Sequence, residues 1–396
     1  MIRRNLAVVL RESASYYPVV TLTGPRQSGK TTLCKAVFPD FHYVSLEDIG
    51  ARGYAEDDPR GFLREHSAGV VIDEVQRVPE LLSALQVEVD AKPDPPGRFI
   101  LTGSQHFGVS AAVAQSLAGR TAVLTLLPPS LDELKRFASP SNDDLIEMLW
   151  TGAYPRIHDR RIPAGRWLRD YIGTYVQRDV REVLNVGDLT AFTTFTKLCA
   201  GRTGSELNLS NLAGDAGITR NTAKAWLSVL ETSYLCTLIP AWHANLRKQL
   251  VKRPKLHFYD TGLVCALLGI SSSDQLRHHP LRGPIFESWV IAEITKARLH
   301  AGRAPGAHHF RESRGLEVDG VIDEGSALVL VEAKSGATLR SEHFRPLARL
   351  SELLRQRDDS RGIQAVLVHG GDERQRRSAG LALPWSGIEH GPWVEG

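Results

Sequence analysis

The chain has 396 residues, which at roughly 100–200 residues per domain allows two to four domains with cores large enough to stand without metals or disulfides. A composition of 42% hydrophobic, 23% charged and 7% aromatic residues excludes a disordered, collagen-like or coiled-coil chain. The formal net charge of +3 neither demands nor excludes a polyanionic partner, so the local distribution of charge has to decide.

At the amino terminus, Arg3 and Arg4 precede a short apolar run that Arg11 and Glu12 end too soon for a secretion signal. From Val19 to about Ser130, β-branched runs alternate with amphipathic stretches, the pattern of a parallel sheet with crossover helices. Val19–Thr23, His42–Leu46, Gly69–Ile72, Phe99–Leu101 and Ala122–Leu126 read as strands, and Lys30–Val37, Asp58–His66 and Pro79–Ala91 as helices. Beyond Pro128 and Pro129 the stretches turn mostly helical, as in Ala164–Val183. Asn208–Ala241 reads as a helix, a short turn at Asp215–Ile218, a second helix capped by Thr219 and a strand at Tyr234–Ile239, which is a winged-helix pattern. From about Leu281, a helix Pro284–Arg298, strands Gly315–Ile322 and Ala327–Ala333, a helix Phe344–Arg355 and a strand Gln364–Val368 form another α/β unit.

Cys34, Cys199, Cys236 and Cys265 lie far apart with no C-x-x-C pair, which favours a reducing compartment over a disulfide framework or zinc knuckle. No stretch reaches the roughly 18 apolar residues of a membrane span; Thr232–Leu246 is interrupted by Pro240. A cytoplasmic protein is expected.

Gly24-Pro25-Arg26-Gln27-Ser28-Gly29-Lys30-Thr31 matches G-x-x-x-x-G-K-[ST] between a strand and a helix, the context in which the motif has a mechanism. Its glycines let backbone N–H groups curl around phosphates, the helix N-terminus adds its dipole, Lys30 bridges the β- and γ-phosphates, and Thr31 is placed to ligate Mg²⁺. With Thr32 this loop is the expected ATP site. Val70-Val71-Ile72-Asp73-Glu74 is an apolar strand ending in two acids, where Asp73 can serve the Mg²⁺ shell and Glu74 can polarise an attacking water. ATP hydrolysis is therefore expected, not binding alone. Phe99–Gln105 is a further strand ending in small polar residues, from which Ser104, or failing that Thr102, can reach the γ-phosphate. Arg120, just before the last strand, is a candidate arginine finger for a neighbouring subunit's nucleotide.

These segments, Gly-Pro-Arg-Gln-Ser-Gly-Lys-Thr-Thr-Leu, Val-Ile-Asp-Glu-Val-Gln and Leu-Thr-Gly-Ser-Gln, resemble a family of bacterial and archaeal AAA-superfamily ATPases with a C-terminal domain of unknown function. Thr151–Pro155, Tyr175–Val180 and Phe258–Leu263 extend the resemblance over nearly the whole chain. It implies an ATPase core, a winged helix and a nuclease-like C-terminal fold. Such ATPases act as homo-oligomers, often rings, and the analogy carries that expectation here.

In the C-terminal unit, Asp319 and Glu332 fall on neighbouring strand runs, and Glu332 and Lys334 share a face because strand side chains alternate. With Glu287 from the preceding helix, three carboxylates for a divalent ion and a lysine for water resemble the PD-(D/E)XK nuclease core, Val318 standing in place of the motif's proline. Between Thr232 and Tyr259, Arg247, Lys248, Lys252, Arg253 and Lys255 occur without a single Asp or Glu, the composition of a positive wing. Arg220, Asn221 and Lys224 lie on the N-terminal half of the adjoining helix, on a face suited to a major groove. Five phosphate contacts from the basic run imply a log–log salt slope of about −4.5 for DNA binding.

The expected organisation is an α/β P-loop AAA-type domain over residues 1–130, a helical segment over 131–200, a winged helix over 201–275 and a PD-(D/E)XK-like α/β domain over 276–396. The expected function is ATP-driven action on DNA, branched DNA included, with ATP and Mg²⁺ as cofactors. The alternative is an ATP-gated interaction or defence switch whose nuclease-like acids are structural.

Overall fold

The computed structural model describes residues 2–92, 95–103, 116–137, 144–175, 188–242, 253–312, 315–356 and 361–394. They divide into two compact units: residues 1–129 with the short pieces 232–234 and 299–302, and the remainder of the chain from residue 130.

In the first unit, strands β1 (Val19–Thr23), β2 (His42–Ser45), β3 (Val70–Asp73), β4 (Phe99–Thr102) and β5 (Thr121–Thr125) form one sheet in the order β2-β3-β4-β1-β5. All pairings are parallel, with Val19 opposite both Phe99 and Thr121. The alternation of strand side chains divides the runs between two apolar layers. Val19, Val70, Ile72, Phe99 and Leu101 pack on one face, and Val20, Leu22, Val71 and Ile100 on the other. Burial on both faces is why these strands read as continuous hydrophobic runs. Helices α1 (Ala7–Tyr16) and α2 (Lys30–Val37) supply Leu10, Leu33, Cys34 and Val37 to the second layer, while α3 (Ile49–Asp57), α4 (Pro59–Glu65) and α5 (Glu80–Ala91) cover the first. The helices α1 and α3 are not evident in the sequence pattern.

The second unit begins with α6 (Leu131–Leu134), α7 (Leu145–Thr151), α8 (Pro155–Arg160), α9 (Ala164–Tyr175) and α10 (Leu189–Ala200). Strand β6 (Ser205–Glu206), helices α11 (Leu209–Asp215) and α12 (Arg220–Thr232), and strands β7 (Cys236–Ile239) and β8 (Lys255–Phe258) follow. The three strands form an antiparallel sheet in the order β6-β8-β7, so a helix-turn-helix is followed by a hairpin. Thr219 caps α12 through its hydroxyl to the N–H of Thr222, and Trp226 and Leu230 on its inner face are buried. After α13 (Thr261–Leu267) and α14 (Ser273–Arg277), α15 (Arg282–His300) precedes β9 (Ala307–Arg311), β10 (Glu317–Asp323), β11 (Ala327–Lys334), α16 (Arg345–Arg355), β12 (Gly362–His369), β13 (Gln375–Arg377) and β14 (Gly380–Pro384). The six strands form a mixed sheet in the order β13-β14-β12-β11-β10-β9. Val329 and Val331 of β11 face an apolar cluster shared with Phe195, Trp226, Leu256 and Trp289, and Leu328 and Leu330 face Leu347, Leu350 and Leu354 of α16. The helical stretch, the helix-turn-helix and the C-terminal sheet therefore share one core. Among the described residues no helix is long and apolar enough to cross a membrane.

Candidate functional site

The loop Gly24–Gly29 leaves the C-terminal end of β1 and enters α2, and three of its residues adopt positive φ: Gly24 at 143°, Gln27 at 64° and Gly29 at 96°. At Gly24 a Cβ would stand 2.2 Å from the carbonyl oxygen of Leu126, so a side chain there collides with backbone. Arg4 clamps the loop from outside the motif. Arg4 is 6% exposed, and its guanidinium donates to the carbonyls of Ser28 and Leu127, each at 2.8 Å.

Lys30 Nζ donates to the carbonyls of Gly24 and Pro25, both at 2.9 Å. Burial pushes its pKa down to about 8, against the pull of the nearby Glu74 and Asp73 carboxylates. Asp73, at the end of β3, gathers three hydroxyls. Thr31 Oγ1 donates to Oδ2 at 2.9 Å, Tyr43 Oη donates to the same oxygen at 2.6 Å, and Thr102 Oγ1 donates to Oδ1. Burial and the bond to Asp73 raise the Tyr43 phenol well above its usual range, so it stays a donor at neutral pH. Glu74 follows in a left-handed conformation, φ 57°, opens a short helical turn Val75–Arg77 and accepts from Gln76 Nε2.

Of the nominated phosphate-site residues, the structure joins Lys30, Thr31 and Asp73 with the loop, with Glu74 adjacent in sequence and charge. Thr32 and Gln27 are exposed, Arg26 is half-buried, and Pro25 and Ser28 are buried. Ser104 lies outside the described residues. Its runner-up Thr102 touches Asp73, because β4 inserts between β1 and β3. Arg120 is elsewhere: it precedes β5, at the end of the strands opposite the loop, and its guanidinium grips Asp90 at 2.5 and 2.9 Å. Tyr43 and Arg4 escaped sequence reasoning. A tyrosine in a strand and an arginine near the terminus carry no motif.

In the second unit, Glu287 and Glu332 both lie close enough to Asp319 to feel its charge, but lysines are paired with these acids. Lys255 Nζ lies 2.9 Å from Glu287 Oε1, 2.6 Å from Glu317 Oε1 and 3.7 Å from Asp319 Oδ1. Glu332 accepts instead from Lys334 Nζ at 2.6 Å, which bears out their common face. Asp319 Oδ2 accepts the N–H of Ala333 at 2.9 Å. A register shift in β10 between Val318 and Val321 accompanies this placement of Asp319; such bulges re-aim a side chain. Burial, then the neighbouring Asp319 charge, pushes Glu287 well up and Glu332 up to about 7. Burial lowers Lys255, but Glu287 and Asp319 outweigh it and hold its pKa above the ordinary lysine value. Among the described residues no group of three His, Cys, Asp or Glu side chains is arranged to hold a metal ion. A cavity of about 360 Å³ opens beside the cluster, lined in part by Glu287, Asp319, Lys334 and His343.

Lys255 is also a correction to the basic wing. Its side chain is 1% exposed and committed to carboxylates, so it cannot meet a phosphate. Arg247, Lys248 and Lys252 lie outside the described residues, and Arg253 is exposed. Arg220, Asn221 and Lys224 are all exposed on α12.

A phosphate loop after β1, an acid ending β3 and a strand inserted between them define a P-loop NTPase of the AAA type. The AAA domain family model matches residues 16–135, and domains of unknown function match residues 142–274 (DUF8612) and 282–388 (DUF4143). Two relatives, the uncharacterized proteins Mb2031c of Mycobacterium bovis and Rv2008c of Mycobacterium tuberculosis, are each 31% identical over 325 residues, covering 80% of this chain and 70% of theirs. The Walker-type ATPase PABY2304 of Pyrococcus abyssi is similar at 16% identity and a TM-score of 0.45, over 67% of this chain and 95% of that one. The chain belongs to the AAA-superfamily ATPases that carry this C-terminal domain of unknown function.

Proposed function

We propose that this ATPase hydrolyses ATP to act on DNA. The observation that carries the first half is the convergence on Asp73 of hydroxyls from α2, β2 and β4 beside the Lys30 ammonium. Two features fit a magnesium nucleotide: Thr31 Oγ1 and Asp73 Oδ2 stand 2.9 Å apart, and the buried Ser28 Oγ in the loop has no hydrogen-bond partner among the described residues. Thr31 and Asp73 would hold Mg²⁺, which when bound offsets phosphate charge. The loop N–H groups and Lys30 grip the phosphates, with Lys30 exchanging loop carbonyls for phosphate oxygens. Glu74 orients water for attack, and Thr102 fixes the Asp73 carboxylate. Arg120, at the opposite end of the strands, is the residue a ring presents to a neighbouring nucleotide once it releases Asp90.

The second half is supported by the helix-turn-helix and hairpin, with Arg220, Asn221 and Lys224 exposed together at the start of α12. Lys30→Ala is expected to lose nucleotide binding, while Glu74→Gln keeps ATP and loses turnover. Normal hydrolysis in either variant overturns the assignment. Hydrolysis indifferent to DNA favours a nucleotide-gated interaction module instead.

A further inference from the structure

The C-terminal carboxylates present a problem of charge. Glu287 on α15, Glu317 and Asp319 on β10, and Glu332 on β11 approach one another in a largely buried region, with side-chain exposures of 13%, 34%, 11% and 6%. Buried carboxylates without a counter-charge are costly, so such groups are either paired with cations or coordinate a metal. Here the cation belongs to the chain. Lys255 is the first residue of β8, and its ammonium reaches Glu287, Glu317 and Asp319 at once. The remaining acid, Glu332, is matched by Lys334.

We propose that Lys255 is a built-in counter-cation that replaces a divalent metal in this carboxylate site, so that the C-terminal domain performs no metal-dependent hydrolysis while β8 is seated. Three observations oppose joint occupancy. The ammonium already lies between the acids a metal would need. Asp319 has its second oxygen committed to the N–H of Ala333. A divalent ion placed within reach of Glu287 and Asp319 would sit against the ammonium of a side chain that is 1% exposed. The groups facing the ammonium all support this balance: three acids hold it, and His257, whose Nδ1 is 3.0 Å from Ser288 Oγ, is kept neutral by burial and by Lys255 itself.

The lysine also ties the hairpin strand β8 to α15 and β10, so the cation leaves only if the hairpin moves. This inference needs neither ATP nor DNA, and it stands or falls separately from the reading of the phosphate site.

The test titrates Mn²⁺ into the full-length protein without nucleotide, by calorimetry and by thermal shift. Wild-type protein is expected to show no Mn²⁺ uptake that Asp319→Asn removes. Lys255→Met is expected to gain one Mn²⁺ per chain with a rise in melting temperature on adding the ion, and Lys255→Met/Asp319→Asn to lose both. An Asp319-dependent Mn²⁺ site in the wild type overturns the proposal, as does a folded Lys255→Met that binds none. Because the wild-type comparison with Asp319→Asn decides by itself, the proposal stays open to refutation even where Lys255→Met does not fold.

Discussion

Replacing Lys30 by methionine separates the needs of the site from the needs of the fold. Lowering the lysine pKa from 10.5 to about 8 by burial means that a protonated Lys30 costs the folded state about 3 kcal/mol at pH 7. The variant escapes that cost but leaves the carbonyls of Gly24 and Pro25 without their donor, a loss of about 1 kcal/mol each. At neutral pH the variant should therefore match or slightly exceed the wild type in stability while losing nucleotide affinity. The sign of the pH dependence follows from the depressed pKa. Between about pH 8 and 10.5 the unfolded chain holds a proton that the folded chain has released, so wild-type stability rises with pH and the variant lacks this contribution. From about pH 7 to pH 9.5 the wild type gains about 2 kcal/mol on the variant. Calorimetric melting of the two proteins in parallel measures it; at about 3–4 °C per kcal/mol for a unit of this size, the gap in melting temperature should move by about 6–8 °C. A gap that does not change with pH means that the ammonium is solvated and that its seat on the loop carbonyls is wrong.

Gly24→Ala should destabilise the ATPase unit by several kcal/mol, on the order of 2–4, and abolish nucleotide binding, since its Cβ would strike the Leu126 carbonyl at φ 143°. Circular-dichroism melts and a fluorescent-nucleotide titration check both. Arg220→Ala and Lys224→Ala should each weaken duplex binding and reduce the salt slope by about 0.9, read from affinities across a salt series. With Lys255 withdrawn from the basic run, its expected slope falls from about −4.5 to about −3.6, and Lys255→Arg should leave it unchanged.

The first unit was legible because its signals are local. Strands buried on both faces leave unbroken β-branched runs, and the loop from Gly24 to Thr31 declares its chemistry by spacing alone. The strand between the loop and the acid was also within reach, but position along it does not by itself distinguish Ser104 from Thr102. What the sequence hid was non-local. Tyr43 meets Asp73 only because β2 pairs with β3 in register, Ser45 opposite Asp73. Lys255 misled for the opposite reason: five basic residues without an acid look like a solvated face, yet Glu287, Glu317 and Asp319, 32 or more positions away, claim one of them. The strand β9 was also missed, and it pairs with β10 across the bulge that accompanies the placement of Asp319.

The most direct test is the rate of ATP hydrolysis by the purified chain with and without single-stranded, duplex and four-way-junction DNA. The structure and family reading predict Lys30- and Glu74-dependent turnover that at least one of these DNAs stimulates, with the stimulation reduced by Arg220→Ala and Lys224→Ala. Turnover that is present but unchanged by every DNA, from a chain that binds none of them, would contradict action on DNA.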